Sequence, residues 1–186
     1  MRFSRTILAT CAVLFVVSQI LFLINIQFPR GPNFDEFHYV PSAKQVLEFK
    51  KNQNWEHPPL GKELMAVGIG IFGDNPLGWR IMSVTFGALT LSGMYALALV
   101  LFESPIIALW TTLLTFSNHL LYVQARIGML DTFMMGFLIW ALAAFFWCWH
   151  PDRDPLAVKR TLLLSGILFS LATATKWFAV VPWVAC

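Results

Sequence analysis

The stretch Phe34-Asp35-Glu36-Phe37-His38-Tyr39, together with Glu56-His57-Pro58-Pro59-Leu60-Gly61-Lys62, is the part of the sequence from which the rest can be interpreted. Residues 34–62 hold four of the ten acidic residues and two of the four histidines of an otherwise strongly apolar sequence. Two adjacent carboxylates close to an apolar segment, followed by a rigid Pro-Pro turn with basic residues, indicate a reaction site at a membrane surface. The remaining sequence is then expected to hold this loop in place.

The composition is that of an integral membrane protein. Of 186 residues, 58% are hydrophobic and only 12% are charged, and the mean hydropathy is +0.66, far from soluble averages. A net charge of +3, without a basic run that interleaves with aromatic residues, excludes a nucleic-acid partner. Cys11, Cys148 and Cys186 fall in apolar runs without metal-ligand spacing, so they are interpreted as small hydrophobic residues rather than a disulfide framework.

Hydropathy predicts an all-α polytopic membrane protein. About 20 apolar residues at ~1.5 Å per residue cover the ~30 Å hydrocarbon core. The first span is interpreted as uncleaved, since no small-x-small cleavage site follows it. Asp131 is expected to cap the fourth span. The predicted spans cover residues 7–26, 81–102, 106–123, 131–149 and 161–182.

The loop between the first two spans, residues 29–80, is expected to be structured. Helical spacing of apolar residues predicts one helix at about 41–50, lying flat on the membrane, with Pro41 near its start. A second helix is predicted at 63–72; at about ten residues it is too short to span, so it is interfacial or re-entrant.

The distribution of basic residues predicts the orientation. With five spans, one side of the membrane carries Arg2, Arg5, Arg153, Lys159 and Arg160. The positive-inside rule then places the N-terminus in the cytoplasm, and both the 29–80 loop and the turn at 126–131 on the outer side. Because the chain stops within an apolar run after an odd number of spans, it is expected to be a fragment of a larger protein.

Asp35 and Glu36 are the candidate catalytic pair. A carboxylate just outside a span can accept a proton from a hydroxyl nucleophile while its neighbour orients that group. The alternative is an ordinary solvated acidic pair at the start of a loop. A metal site is a further alternative, but no additional ligand is evident, so no metal is expected.

His57 and Lys62 flank the Pro-Pro turn and are candidates for holding a phosphate near the membrane surface. Lysine offers a point charge and histidine a neutral donor. The alternative interpretation is a Pro-Pro turn with a lysine whose charged end reaches the interface.

Three further cations lie near span ends. Arg80 and Arg126 are candidates for bidentate binding of a lipid phosphate, or for pairing with headgroups or with Asp131. Lys176 interrupts the fifth span, where an unpaired charge is costly, so it is a functional candidate by default, with Asp131 in a supporting role.

The order of these motifs resembles the N-terminal part of the protein O-mannosyltransferase family. This family belongs to the GT-C class of membrane glycosyltransferases, and the lipid A aminoarabinose transferases are relatives with a similar first loop. The resemblance extends over nearly the whole chain. Its motifs are Phe34-Asp35-Glu36, His57-Pro58-Pro59-Leu60-Gly61-Lys62, Gly78-Trp79-Arg80, Gly87, Arg126, Leu130-Asp131 and Thr175-Lys176-Trp177.

The resemblance implies an inverting transferase that takes a sugar, expected to be mannose, from a polyprenyl-phosphate donor on the outer membrane face. Asp35 takes the position of the family's base, and Glu36 supports binding of the acceptor. Arg80 matches an arginine important in the mannosyltransferases. His57 replaces a lysine that faces the lipid phosphate in the aminoarabinose relatives. No metal or other cofactor is implied.

Two alternatives remain open. The acceptor is expected to be a protein serine or threonine, but lipid A or another glycan is an alternative within the same class. A non-enzymatic transporter is the alternative from a different class. A transporter would place its polar residues near the bilayer midplane in paired broken helices. Here they gather in loops at one face, which favours an enzyme of the bacterial inner membrane or the endoplasmic reticulum.

Overall fold

The computed structural model describes residues 5–51, 54–151 and 153–186, and these fold into helices and the turns between them. Arg2, part of the predicted orientation signal, lies outside the described residues, as do residues 52 and 53 of the first loop. The helices are α1 (Arg5–Leu23), α2 (Glu36–Leu47), α3 (Leu60–Phe72), α4 (Pro76–Phe102), α5 (Pro105–Phe116), α6 (His119–Gln124), α7 (Leu130–Trp147), α8 (Pro155–Thr175), a 3-10 turn (Trp177–Ala179) and α9 (Val180–Ala185).

Helix α4 lies at the centre of the bundle and packs against α1, α3, α5 and α7. It begins five residues earlier than predicted, because the Asn75 side chain accepts hydrogen bonds from the backbone N–H groups of Leu77 and Gly78. Pro76 follows at the first helical position, where its missing N–H costs nothing. In the described part of the chain, α1, α4, α7 and α8 are long and apolar enough to cross a membrane. The protein is therefore a multi-pass membrane protein.

Contacts between helix ends show how the chain runs back and forth. At one end of the bundle, the Gly128 N–H donates to the Glu36 carboxylate over 2.8 Å. At the opposite end, a ring nitrogen of His150 lies 3.1 Å from the Val100 carbonyl oxygen near the end of α4. The segment α5–α6 therefore returns from the end of α4 to the level of the first loop, and α7 leads away from it again.

The predicted third span, 106–123, is not one continuous helix. Helix α5 ends at Phe116, and Asn118 leaves the helical conformation with a ψ of 110°. The Asn118 side chain then accepts from the Leu121 N–H and starts α6. Serine and asparagine offer the backbone alternative hydrogen bonds, and a hydropathy average over the segment does not register that competition.

The fourth and fifth predicted spans also need correction. Asp131 does not cap α7: Met129 occupies the cap position, and Asp131 lies in the first turn. Helix α8 begins at Pro155 rather than 161, because the Asp154 carboxylate accepts from the Ala157 N–H over 2.8 Å. It ends at Thr175, where Lys176 becomes extended, so the predicted segment 161–182 joins part of α8 to a separate turn.

The first loop folds onto the bundle through α2 and α3. Helix α2 covers 36–47 instead of 41–50, since the main-chain carbonyl of Asp35 already accepts from the N–H groups of His38 and Tyr39. Helix α3 approaches α7 closely at Gly61, where an added Cβ would lie 2.7 Å from a methyl carbon of Leu130. Buried apolar residues of α2, α3, α4 and α7 form one core beneath the loop: Tyr39, Val40, Ala43, Met65, Ala66, Ile69, Phe86, Leu130 and Phe133.

Candidate active site

Asp35 faces an open cavity of about 580 Å³, whose lining also includes Tyr39, Glu56 and His57. It directly precedes α2, at the position where aspartate commonly caps a helix. Its carboxylate makes no capping hydrogen bond, because the first amides of α2 donate to main-chain carbonyls instead. The Tyr39 hydroxyl lies 3.3 Å from Oδ2 of this half-buried carboxylate. Asp35 is thus left available to a group in the cavity.

Glu36 points the other way and is completely buried. Its Oε1 accepts from Arg80 Nε at 2.7 Å and from the Gly128 N–H at 2.8 Å. Its Oε2 accepts from Arg80 Nη2 at 2.8 Å and from the Asn33 N–H at 2.7 Å. These four bonds fill the acceptor sites of a carboxylate. The expectation that Glu36 supports acceptor binding is therefore not met by this arrangement, in which Glu36 joins three segments of the chain.

Arg80 is likewise completely buried, which contradicts the expectation of a span-end arginine open to a lipid phosphate. Besides Glu36, its guanidinium donates to the carbonyl oxygens of Ile26 and Pro29, both at 2.9 Å, and of Gly31 at 3.0 Å. All five N–H groups are used. Since a phosphate could reach this group only by displacing them, Arg80 serves to shape the first loop.

Arg126 makes its hydrogen bonds to the end of α1 and to Tyr122. Its predicted partners were a lipid phosphate, headgroups or Asp131. It donates to the carbonyl oxygens of Phe22, at 3.2 Å, and of Ile24, and to the Tyr122 hydroxyl at 3.2 Å. Its guanidinium carbon also lies 5.1 Å from the centre of the Tyr122 ring. A cation beside the last carbonyls of a helix is electrostatically favourable. Both predicted phosphate-binding arginines are thus occupied by backbone of the first loop and the end of α1.

Lys62 is buried beneath the Pro-Pro turn. Its ammonium group donates to the carbonyl oxygen of His57 at 2.8 Å and to both oxygens of Asn54. Burial lowers the pKa of Lys62. With its three donors engaged, it closes the loop around residues 54–62, and the structure does not bring it to the cavity.

His57 is the predicted phosphate-binding residue that does line the cavity beside Asp35. Its ring meets the Tyr39 ring edge-on, with the centres 6.1 Å apart. Within the described residues, its buried Nδ1 has no hydrogen-bond partner. Such an atom gains a hydrogen bond if a ligand enters the cavity.

Asp131 and Lys176 form an ion pair at the same end of the bundle. Lys176 Nζ lies 2.7 and 2.8 Å from the two carboxylate oxygens, and about a quarter of each side chain is exposed, 25% for Asp131 and 24% for Lys176. Asp131 also lines a second cavity of about 660 Å³ with a mainly apolar wall, between α4, α5 and α7. Pairing explains how Lys176 is tolerated next to a membrane span.

Tyr39 is a site residue that the sequence motifs do not single out. It is almost fully buried at 3% exposure. Burial, and then the neighbouring carboxylates of Asp35, Asp131 and Glu56, raise the pKa of Tyr39. The sequence did carry a signal, because Tyr39 follows Asp35 by four residues and so lies on the same face of a helix.

In the ranges 5–51, 54–151 and 153–186, no group of three or more His, Cys, Asp or Glu side chains is arranged to hold a metal ion. The groups gathered at this end of the bundle include the Asp35 carboxylate, the His57 imidazole and the ion-paired Lys176 ammonium. They can exchange protons and make hydrogen bonds to a substrate in the cavity.

Residues 71–185 match the family described as dolichyl-phosphate-mannose-protein mannosyltransferase. The chain is 36% identical over 199 residues to a polyprenol-phosphate-mannose–protein mannosyltransferase of Corynebacterium glutamicum, with 91% of this chain and 38% of that protein aligned. The chain thus spans less than half of the length of this curated relative. The Asp35–Lys62 region precedes the part that matches the family.

Two solved structures share the fold. The protein O-mannosyltransferase Pmt1-Pmt2 complex of S. cerevisiae, bound to its sugar donor, superposes with a TM-score of 0.86 at 23% identity, covering 100% of this chain and 28% of that one. ArnT from Cupriavidus metallidurans, bound to undecaprenyl phosphate, superposes with a TM-score of 0.76 at 21% identity, covering 89% of this chain and 32% of that one. The fold is therefore that of GT-C membrane glycosyltransferases, as predicted.

Proposed function

Because the chain belongs to the dolichyl-phosphate-mannose-protein mannosyltransferase family, we propose that it transfers mannose from a polyprenyl-phosphate-linked donor to a serine or threonine hydroxyl of a protein. The observation that carries this proposal is the Asp35 carboxylate, which opens onto a cavity without serving as a helix cap. The acceptor is proposed to enter this cavity from the aqueous side, and the donor from the membrane.

In the proposed reaction, Asp35 acts as the general base. Serine and threonine hydroxyls are poor nucleophiles, so removing their proton as attack proceeds lowers the barrier. The hydroxyl oxygen forms a bond to the anomeric carbon while its proton passes to Asp35. The bond from that carbon to the phosphate oxygen breaks, and its electron pair leaves with the polyprenyl phosphate. Attack opposite the leaving group inverts the anomeric configuration.

The leaving phosphate needs hydrogen bonds and positive charge, for which His57 and Lys176 are the proposed sources. His57 lines the cavity, and its Nδ1 has no hydrogen-bond partner among the described residues. Lys176 is paired with the partly exposed Asp131 rather than with backbone carbonyls, so phosphate oxygens can compete for it. Glu36 and Arg80 are proposed as positioning residues that hold the loop carrying Asp35, and Lys62 and Arg126 as structural supports.

Transfer of labelled mannose from a polyprenyl-phosphate donor to a serine-containing peptide tests the proposal, using membranes that contain the protein as its gene encodes it. Asp35→Asn is expected to lower the rate by about 10²- to 10⁴-fold, the usual contribution of a general base. Asp74→Asn is the matched control, because Asp74 lies in the same loop but pairs with Lys44. Since the reaction is proposed to need no metal, a chelator should leave the rate unchanged.

The outcomes separate the alternatives. Retention of more than about a tenth of the wild-type rate by Asp35→Asn, well short of the loss expected for a base, would show that Asp35 is not the base. Label recovered in lipid A or another glycan instead of protein would favour the related glycan-modifying activity. A wild-type protein that transfers no sugar would contradict the proposed function itself.

The cavity is further proposed to open on the periplasmic or lumenal side, with the N-terminus in the cytoplasm. Trp55 is 83% exposed in the first loop, which makes it a suitable position for a reporter. A Trp55→Cys variant in a background without the three native cysteines should react with an impermeant thiol reagent added from outside. Reaction only after permeabilisation would reverse the orientation.

A further inference from the structure

The Asp35 carboxylate has two oxygens in different situations. Oδ2 accepts a hydrogen bond from the Tyr39 hydroxyl at 3.3 Å, and Tyr39 lies about one helical turn further along the chain. Among the residues that the structure describes, no other side chain or backbone group donates a hydrogen bond to this carboxylate. Within the same described residues, Oδ1 has no hydrogen-bond partner.

We propose that Tyr39 is a positioning residue, which fixes the rotation of the Asp35 carboxylate and presents Oδ1 to the acceptor hydroxyl. The inference rests on the proposed transferase function and deepens it. A carboxylate rotates over a broad, roughly two-fold torsional range, so an unrestrained base would sample orientations that cannot take the proton. One hydrogen bond to Oδ2 removes much of that freedom before the substrate arrives.

Tyr39 can supply that bond because packing holds its ring. It is 3% exposed and belongs to the buried core formed by α2, α3, α4 and α7. The His57 ring meets it edge-on. The position of the phenolic oxygen is therefore set by the core and not by the substrate.

Tyr39 also stays a donor across the working pH range. Among the described residues, the charged and titratable groups around it are Asp35 directly before its own helix, His38 in α2, Glu56 and His57 from the following loop, and Asp131 from α7, which is paired with Lys176. Burial and the three carboxylates raise the pKa of Tyr39, so its hydroxyl keeps its proton at neutral pH. A neutral donor can then stabilise the ionised carboxylate without neutralising it.

Tyr39→Phe tests the proposal, because it keeps the ring and removes the hydroxyl. In the mannose-transfer assay, kcat should fall about 10- to 100-fold, the loss expected for one hydrogen bond to a charged group, while KM for the donor is unchanged. The acid limb of the pH–rate profile should move to higher pH, since the ionised carboxylate loses a stabilising donor. Tyr95→Phe is the matched control: Tyr95 is also buried, at 5% exposure, but belongs to a core formed with α1.

A double variant makes the test specific. If Tyr39 acts only through Asp35, adding Tyr39→Phe to Asp35→Asn should cause no further loss of rate, because residues acting as one unit are not additive. Three results would overturn the inference: wild-type kcat in Tyr39→Phe, a further loss in the double variant, or a drop in unfolding temperature large enough to explain the lost activity. A wild-type protein without transferase activity would instead contradict the proposed function.

Discussion

Asp35 and Glu36 are adjacent in sequence and have the same charge, yet they lie in opposite environments. In the part of the chain that the structure describes, Asp35 opens onto the cavity with one hydrogen bond, from Tyr39, whereas Glu36 is completely buried and accepts four. Successive residues at the start of a helix point about 100° apart, so one faces the cavity and the other the core. A buried charge needs every acceptor site filled, while a base needs one left open. The pair therefore combines a reactive group with the structural group that holds it in place.

The largest expected effect on stability concerns Arg80, the partner of the buried Glu36. Arg80→Ala should cost about 3–5 kcal/mol of unfolding free energy, because it leaves the Glu36 charge buried and unpaired. Chemical unfolding of the protein in detergent or nanodiscs measures the loss. Asp35→Asn, measured alongside, should cost less, about 0.5 kcal/mol, because the half-buried asparagine keeps an oxygen that can accept from the Tyr39 hydroxyl.

A double variant provides the control for Arg80. Replacing both partners, as in Glu36→Gln with Arg80→Met, should be less destabilising than Arg80→Ala alone, since no unpaired charge remains. If Arg80→Ala unfolded like wild type but bound a lipid-phosphate donor poorly, Arg80 would after all be a phosphate ligand. The sequence-based expectation would then be restored.

An intermediate effect is expected at Gly128, which donates its N–H to Glu36. An added Cβ would lie 2.8 Å from the Met65 methyl carbon and 3.3 Å from Glu36 Cγ. Overpacking of this kind costs about 1–3 kcal/mol, and Gly128→Ala should lie at the lower end because a methionine tip can move. Gly166→Ala is the matched control: among the described residues, an added Cβ there would meet no heavy atom within 4 Å beyond its chain neighbours and the backbone of its own helix, so it should keep or raise stability. Equal unfolding free energies for the two variants would argue against a tightly closed site around Glu36.

The fold class could be predicted from sequence because it depends on properties of long segments. These are the hydropathy of the apolar stretches and the alternation of the membrane side on which consecutive spans end. The gathering of Asp35, Asp131 and Lys176 at one end of the bundle follows from the same alternation. The partners of Arg80 could not be predicted, since three of its bonds go to backbone carbonyls whose positions depend on how residues 26–31 turn. Hydropathy does not predict the helix break at Ser117-Asn118, because that break depends on the Asn118 side chain, which caps the start of α6.

Tyr39 shows that residue spacing in a motif does not by itself identify every residue of a site. Its spacing from Asp35 was visible, but spacing alone does not say which residue of a helix turn is buried against the base. Glu36 shows the converse: its adjacency to a candidate base predicts a shared task, whereas the structure buries it among four hydrogen bonds. Packing of α2 against α3, over a core that α4 and α7 complete, separates the two carboxylates.

The smallest expected effect concerns Arg126, the second arginine predicted to bind phosphate. It too donates to backbone carbonyls, of Phe22 and Ile24, but it is only half-buried, and none of the described carboxylates pairs with it. Removing it leaves helix-end carbonyls that water can reach, so Arg126→Ala should cost about 0.3–1 kcal/mol, the usual contribution of a cation at a helix C-terminus. Arg126→Lys should recover part of this loss, because the charge stays while the guanidinium that reaches both carbonyls is lost.

The same unfolding measurements, combined with the transfer assay, separate the two possible roles of Arg126. A full loss of transfer in Arg126→Ala at nearly unchanged stability would place Arg126 in the reaction site, whereas a small, parallel loss of both would leave it as the support for the end of α1.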